Sequence, residues 1–199
     1  MHVNRRDRLF LRVADDQGRP VKGLQKKVNR FFRCHHTNVQ HRIDPRLIRL
    51  IYKIGRHFDG KRIEVVAGYR HPRAAKNPYS PHKQGLACDF RVRGVSNQVL
   101  RDHLRASYKN VGVGYYPNSS FIHLDVRKGP AAFWIDYSGP GEKSLYSADP
   151  NEDLRSGRAD NFKPATIDPA WAGDAGTPPP APAPTAKPAV VPADGRGAS

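Results

Sequence analysis

Two histidines and two acids define the chemistry open to this chain. From Phe121 to Val126 polarity alternates, so Ile122, Leu124 and Val126 share one face of a strand and His123 and Asp125 project from the other. From Leu86 to Val92 the same alternation sets Leu86, Cys88, Phe90 and Val92 against Ala87, Asp89 and Arg91. His82 stands in the loop feeding that strand, with Gly85 between them to let the chain turn in. Two imidazoles and a carboxylate from separate segments can therefore converge on one polar face of a sheet. Three N/O ligands with a fourth position left to water is the pattern of a catalytic zinc site, whereas structural zinc more often takes four ligands rich in cysteine. Zinc lowers the pKa of its bound water to about 7, which gives hydroxide for attack on a carbonyl. The competing reading is plain: a lone His-x-Asp on a surface usually has no such role.

The elements needed to position these residues are legible in outline. Leu9, Leu11 and Val13 alternate against charged neighbours and predict a short strand, followed by a turn at Asp15-Asp16-Gln17-Gly18. Val21 to Cys34 is basic with helical spacing at Leu24, Val28, Phe31 and Phe32. Asp44-Pro45 is a helix start; Leu47, Ile48, Ile51 and Ile54 follow at helical spacing, and Gly55 is the expected stop. Arg62 to Tyr69 reads as a buried strand, and Arg70 to Lys83 as a long loop with prolines at 72, 78 and 81. Ser96 caps a helix expected to carry Val99, Leu100 and Leu104 on its apolar side, and Val111 to Tyr116 is a glycine-interrupted strand. Trp134 and Tyr137 are expected to close the core, with lining the cleft as the alternative. The order of helices and strands predicts an α+β domain with a small, mostly antiparallel sheet and flanking helices.

Composition sets the outer limits. The chain has 199 residues, 38% of them hydrophobic, and a mean hydropathy of -0.70. The body, residues 1–150, is of a size that folds alone; residues 151–199 run into Pro and Ala, as in Pro178-Pro179-Pro180-Ala181-Pro182, and are expected to form a disordered tail. The formal net charge is +16, which favours polyanions: nucleic acid, anionic lipid, or carboxylate- and phosphate-bearing wall polymers. A solvated basic surface without a specific ligand accounts for the charge equally well. Cys34 and Cys88 are open to pairing in an oxidising compartment, though Cys88 on an apolar strand face points to a buried thiol. No segment is long and apolar enough to span a membrane, and Met1 to Val13 lacks the apolar run of a signal peptide.

Ser80-Pro81-His82-Lys83-Gln84-Gly85-Leu86-Ala87-Cys88-Asp89 resembles the Ser-x-His-x-x-Gly-x-Ala-x-Asp motif of the zinc D-Ala-D-Ala carboxypeptidases, which share a fold with the hedgehog signalling domain. Gly68-Tyr69-Arg70 is similar to the Gly-Tyr-Arg preceding that motif. Ile43-Asp44-Pro45-Arg46-Leu47, Gly112-Val113-Gly114-Tyr115-Tyr116-Pro117 and Phe121-Ile122-His123-Leu124-Asp125 are similar to the bacterial murein-endopeptidase branch. The resemblance runs from about Leu9 to Trp134. It implies a Zn2+ cofactor held by His82, Asp89 and His123, with Arg70 beside the substrate's carbonyl or carboxylate and Ser80 and Tyr115 binding substrate. For Arg70 a structural salt bridge is the alternative, and for Ser80 a turn in the loop. His71 reads as an exposed loop residue.

Relatives in the wider family often carry a base two or three residues before the last zinc ligand; here those positions are Phe121 and Ser120. Asp125 is the nearest carboxylate on the same face, either as base or as the group that orients His123. Cys88, Pro81 and a shortened loop before His82 also depart from the family's usual spelling. The implied activity is hydrolysis of peptide cross-links or terminal residues of peptidoglycan, in a periplasmic or extracytoplasmic monomer. The alternative is a non-catalytic, zinc-containing wall-binding module. Specific nucleic-acid binding has only the charge in its favour, since the basic clusters carry no aromatic interleaving.

Overall fold

Asp44 and Pro45 start a helix for the reasons their types suggest. The Asp44 carboxylate accepts the Arg46 amide at 2.7 Å, and Pro45 fills a position whose amide would lack an intrahelical acceptor. In a computed structural model, which describes residues 1–14, 17, 21–74, 79–139 and 141–163, this helix is α2 (Pro45–His57), preceded by α1 (Leu24–Phe31). Helix α2 buries Leu47, Ile48, Leu50, Ile51 and Ile54. Gly55 does not end it: the residue is not in the left-handed conformation that closes helices, and α2 continues to His57.

The strands are β1 (Ile63–Ala67), β2 (Ala87–Val92), β3 (Val111–Tyr115), β4 (Ile122–Val126) and β5 (Ala132–Ile135). They lie in the order β1-β2-β4-β3-β5, antiparallel throughout except for the parallel β3–β5 pair. Helix α3 (Asn97–Ser107) follows β2, its Ser96 hydroxyl accepting the Val99 amide at 3.3 Å. Phe90, Ile122 and Leu124 share a core with α2 and with Leu100 and Leu104 of α3. One sheet face is thus covered by helices, and the opposite face is left for polar residues. The α+β class and the mostly antiparallel sheet are as the sequence predicts.

Several expectations need correction. Residues 4–13 form no strand, although Leu9, Leu11 and Val13 are half-buried against the core while Phe10 is exposed. Alternation there records which side chains face inward, not whether a neighbouring strand pairs with the backbone. Val99 is 54% exposed, because at about 100° per residue it turns away from Leu100 and Leu104; Arg101 is buried instead. The expected turn at Asp15-Asp16-Gln17-Gly18 and Pro78 of the long loop lie largely outside the described residues.

The folded body also runs past residue 150. Helix α4 (Pro150–Arg155) is followed by Ala159, which is buried, and by Phe162, whose ring lies 4.9 Å from that of Tyr137. Arg101 ties this segment down, bonding Asp102 at 2.7 Å and both carboxylate oxygens of Asp160, with its guanidinium over the Tyr115 ring. The Pro/Ala-rich stretch, 164–199, lies outside the described residues. Cys34 and Cys88 are buried and unpaired. Among the described residues no helix is long and apolar enough to cross a membrane.

Candidate metal centre

The polar sheet face is organised by register. Asp89 of β2 and His123 of β4 are direct cross-strand partners, and His123 is in turn opposite Gly114 of β3. His82 arrives from outside the sheet on a 3₁₀ turn (Pro81–Gln84) that ends at Gly85 with φ of 67°. A Cβ on Gly85 would lie 2.3 Å from the Arg42 carbonyl oxygen, so only glycine lets the turn enter β2 here.

The ligating atoms form a small triangle. His82 Nε2 lies 3.2 Å from Asp89 Oδ1 and 3.1 Å from His123 Nδ1, and His123 Nδ1 lies 2.9 Å from Asp89 Oδ1. Ligands about 2.0–2.1 Å from a tetrahedral ion stand roughly 3.3–3.4 Å from one another. The triangle therefore needs to open by only a few tenths of an ångström to hold one. Tautomers supply a second test. His82 Nδ1 is 2.6 Å from the Gly68 carbonyl, which only accepts, so its proton sits there and Nε2 offers a lone pair. His123 Nε2 is 3.3 Å from Asp125 Oδ2, so its proton is drawn to that side and Nδ1 is left for the centre. With Asp89, these residues present an acceptor set that fits a cation. Among the described residues, no other group of histidine, cysteine and acidic side chains is placed to hold a metal ion.

All three residues are buried. Burial works to raise the Asp89 carboxyl, but the neighbouring His82, Arg70 and His123 outweigh it and hold it well below the usual carboxylate range. Burial lowers His82 against the pull of Asp89. Burial also acts to lower His123, but its bonds to Asp125 and Asp89 prevail and push it up to about 9. Arg70 donates from Nη2 to Asp89 Oδ2 at 2.7 Å, while its buried Nη1 has no partner.

Asp125 stands behind His123, and Arg127 grips both of its oxygens, at 2.9 and 2.6 Å. Two glycines make room for this side of the sheet. A Cβ on Gly112 would meet the Arg127 guanidinium at 2.0 Å, and one on Gly114 would meet the Trp134 indole at 2.7 Å. Trp134 is buried, but on the side of the metal ligands: it lies 5.2 Å from the His123 ring and donates from Nε1 to the Tyr116 hydroxyl at 3.2 Å.

His82, Asp89, His123, Arg70 and Asp125 are thus brought together. Ser80 is buried at the head of the 3₁₀ turn, and its hydroxyl makes no capping bond. His71 is half-buried, its Nδ1 accepting the Arg73 amide at 3.3 Å. Tyr115 is a correction: it pairs with Ile122, joins the core and lies under Arg101, on the face away from the metal ligands. Its neighbour Tyr116 is the tyrosine bonded to Trp134. Alternation within the strand itself carries that signal, since Gly112, Gly114 and Tyr116 share one face. Arg127 escaped notice because nothing in its local sequence ties it to His123; its role depends on where β4 ends beside β3.

Residues 12–134, more than half of the chain, match the family described as peptidoglycan L,D-endopeptidase MepK. A Haemophilus influenzae protein named "Probable peptidoglycan L,D-endopeptidase MepK" is 37% identical over 124 residues, 56% of this chain and 64% of that protein. The Escherichia coli K12 protein named "Peptidoglycan L,D-endopeptidase MepK" is 36% identical over 120 residues, 54% of this chain and 63% of its own length. The chain thus spans just under two-thirds of these curated relatives. No solved structure matches it.

Proposed function

We propose that this chain, which belongs to the family of peptidoglycan L,D-endopeptidase MepK, hydrolyses peptide bonds in peptidoglycan with one zinc ion held by His82, Asp89 and His123. The observation that carries this reading is the triangle of acceptor atoms, 2.9–3.2 Å apart, with both imidazole protons committed outward. The relatives' printed activity supports an L,D bond as the one cleaved here.

Zinc bound there supplies a Lewis acid for the scissile carbonyl and a water acidic enough to react near neutral pH. Arg70 fixes Asp89 through Nη2 and keeps Nη1 free for the substrate's carbonyl or carboxylate, where charge develops. Asp125 acts as a positioning residue: it holds the proton of His123 Nε2, so that Nδ1 faces the metal, and is itself locked by Arg127. The Ser80 hydroxyl is a candidate contact for substrate. Activity against the wall is in keeping with an extracytoplasmic location. A wall-binding module that keeps the zinc but cleaves nothing is the second reading, favoured by Ser120 and Phe121 standing at positions where the wider zinc-peptidase family often carries a base.

The test measures bound metal in the wild type and in His123→Ala, with muropeptide release by each. One zinc per chain, lost in the variant together with peptide release, is the expected result. Zinc without cleavage of any wall peptide selects the binding module, and a metal-free wild type removes the site.

A further inference from the structure

A second feature lies beyond the metal ligands, at the end of the sheet where β3 begins and β4 ends. Helix α2 presents Arg46, Arg49 and Lys53 along one side, spaced three and four residues apart, so that they line one face. Lys109 before β3, and Arg127 and Lys128 after β4, stand opposite. Between them lies a groove of about 530 Å³ with six cationic side chains and no acidic residue in its lining. Arg46 is paired with Asp44 and Arg127 with Asp125. Arg49, Lys53, Lys109 and Lys128 are exposed, with no ion pair to any described residue.

Four uncompensated cations around one concave surface concentrate anions far better than the same charges scattered over a convex one. The volume falls in the range of built ligand sites, roughly 300–1,000 Å³. Two observations narrow the ligand. The one aromatic residue in the lining, Tyr108, is half-buried against His103, so the groove offers no platform for stacking bases. In addition, Arg127 belongs both to this groove and to the chain Arg127–Asp125–His123, which places the groove next to the metal ligands.

We infer that this groove is a second binding site for the carboxylates of the peptidoglycan network, holding the insoluble substrate by charge while one of its cross-links reaches the metal. The inference rests on the function proposed above. It is tested with the full chain, metal removed by chelation so that nothing is cleaved, binding to sacculi freed of phosphodiester polymers. Combined Arg49→Glu, Lys53→Glu and Lys109→Glu substitutions lie on exposed positions, and a thermal melt checks that the variant folds. Binding is expected to weaken about tenfold or more at low salt. Sacculi whose carboxylates have been amidated are expected to bind the wild type as poorly, while cleavage of a small soluble muropeptide by the zinc-loaded variant is unchanged.

Undiminished binding by the variant, or undiminished binding of wild type to amidated sacculi, overturns the inference. So does tighter binding to duplex DNA than to sacculi at equal ionic strength, which makes the groove a nucleic-acid site. Binding is read without turnover, so carboxylate-dependent capture by a zinc-loaded chain that cleaves nothing sinks the peptidase reading and leaves the groove standing.

Discussion

The two imidazoles of the site are defined less by where they point than by where their protons go. His82 gives its proton to the Gly68 carbonyl and His123 gives its own to Asp125. This arrangement separates the two roles open to Asp125. Asp125→Asn keeps the shape but removes the charge, and weaker orientation of a ligating histidine typically costs about 10- to 100-fold in metal affinity. A competition titration against a zinc chelator is expected to register that loss. Unchanged affinity with collapsed turnover would instead make Asp125 the base. Titration offers a separate check. In the metal-free protein His123 is raised from 6.5 to about 9 by Asp125 and Asp89 against the effect of burial. Protonated His123 therefore contributes stability that is fully present below pH 6.5 and lost as pH rises through about 9. Urea melts of chelated protein are expected to show that decline. Zinc-saturated protein is expected not to show it, because the ligating ring is already neutral.

At the scale of elements, the site depends on β3 as a strand without side chains on one face. Gly112 and Gly114 leave the space that the Asp125–Arg127 pair and the Trp134 indole occupy. Gly114→Ala drives a methyl into the indole, and such overpacking costs about 1–3 kcal/mol. A thermal melt measures the cost, and a shift in tryptophan fluorescence is expected with it as Trp134 leaves the His123 ring. The strands β2 and β4 were legible in the sequence because each is half-buried and alternates strictly, and that alternation put Asp89 and His123 on the correct face. The extended run through Leu9 and Val13 alternates just as cleanly yet forms no strand among the described residues, since period two reports burial alone. The choice between Tyr115 and Tyr116 went astray on a single position: one residue's slip along a strand exchanges core for site.

For the molecule as a whole, the body closes through a segment that composition alone assigned to the tail. Residues Pro150 to Phe162 return across the sheet, and Arg101, nearly inaccessible to solvent, spans Asp102 and Asp160. The sequence hid this because the segment is short and polar, and its partner is an arginine on a helix whose apolar stripe drew attention elsewhere. Ending the chain at Asp149 removes Asp160, whose carboxylate is partly exposed, and leaves the buried Arg101 with Asp102 alone; donors left short of an acceptor in this way cost about 1–3 kcal/mol. A lower urea midpoint for the truncated chain is the expected measurement. The same truncation takes away the α4 carboxylate of Asp153 that accepts the Tyr137 hydroxyl at 2.8 Å, so the loss is not confined to one contact.

The unequal anchoring of the ligands carries a kinetic consequence. Asp89 and His123 sit on paired strands inside the sheet, whereas His82 rides on a four-residue turn hinged at Gly85. The fourth position that admits water and substrate also admits a chelator. All three side chains are buried, however, and the ion leaves fully only when a ligand lets go, for which the turn carrying His82 is placed outside the sheet. Stripping is then gated: its rate should climb with chelator concentration only to a plateau, and the plateau is the opening rate of the turn itself. Residence time of the ion would thus be set by the turn that carries His82 rather than by the paired strands that hold the other two ligands.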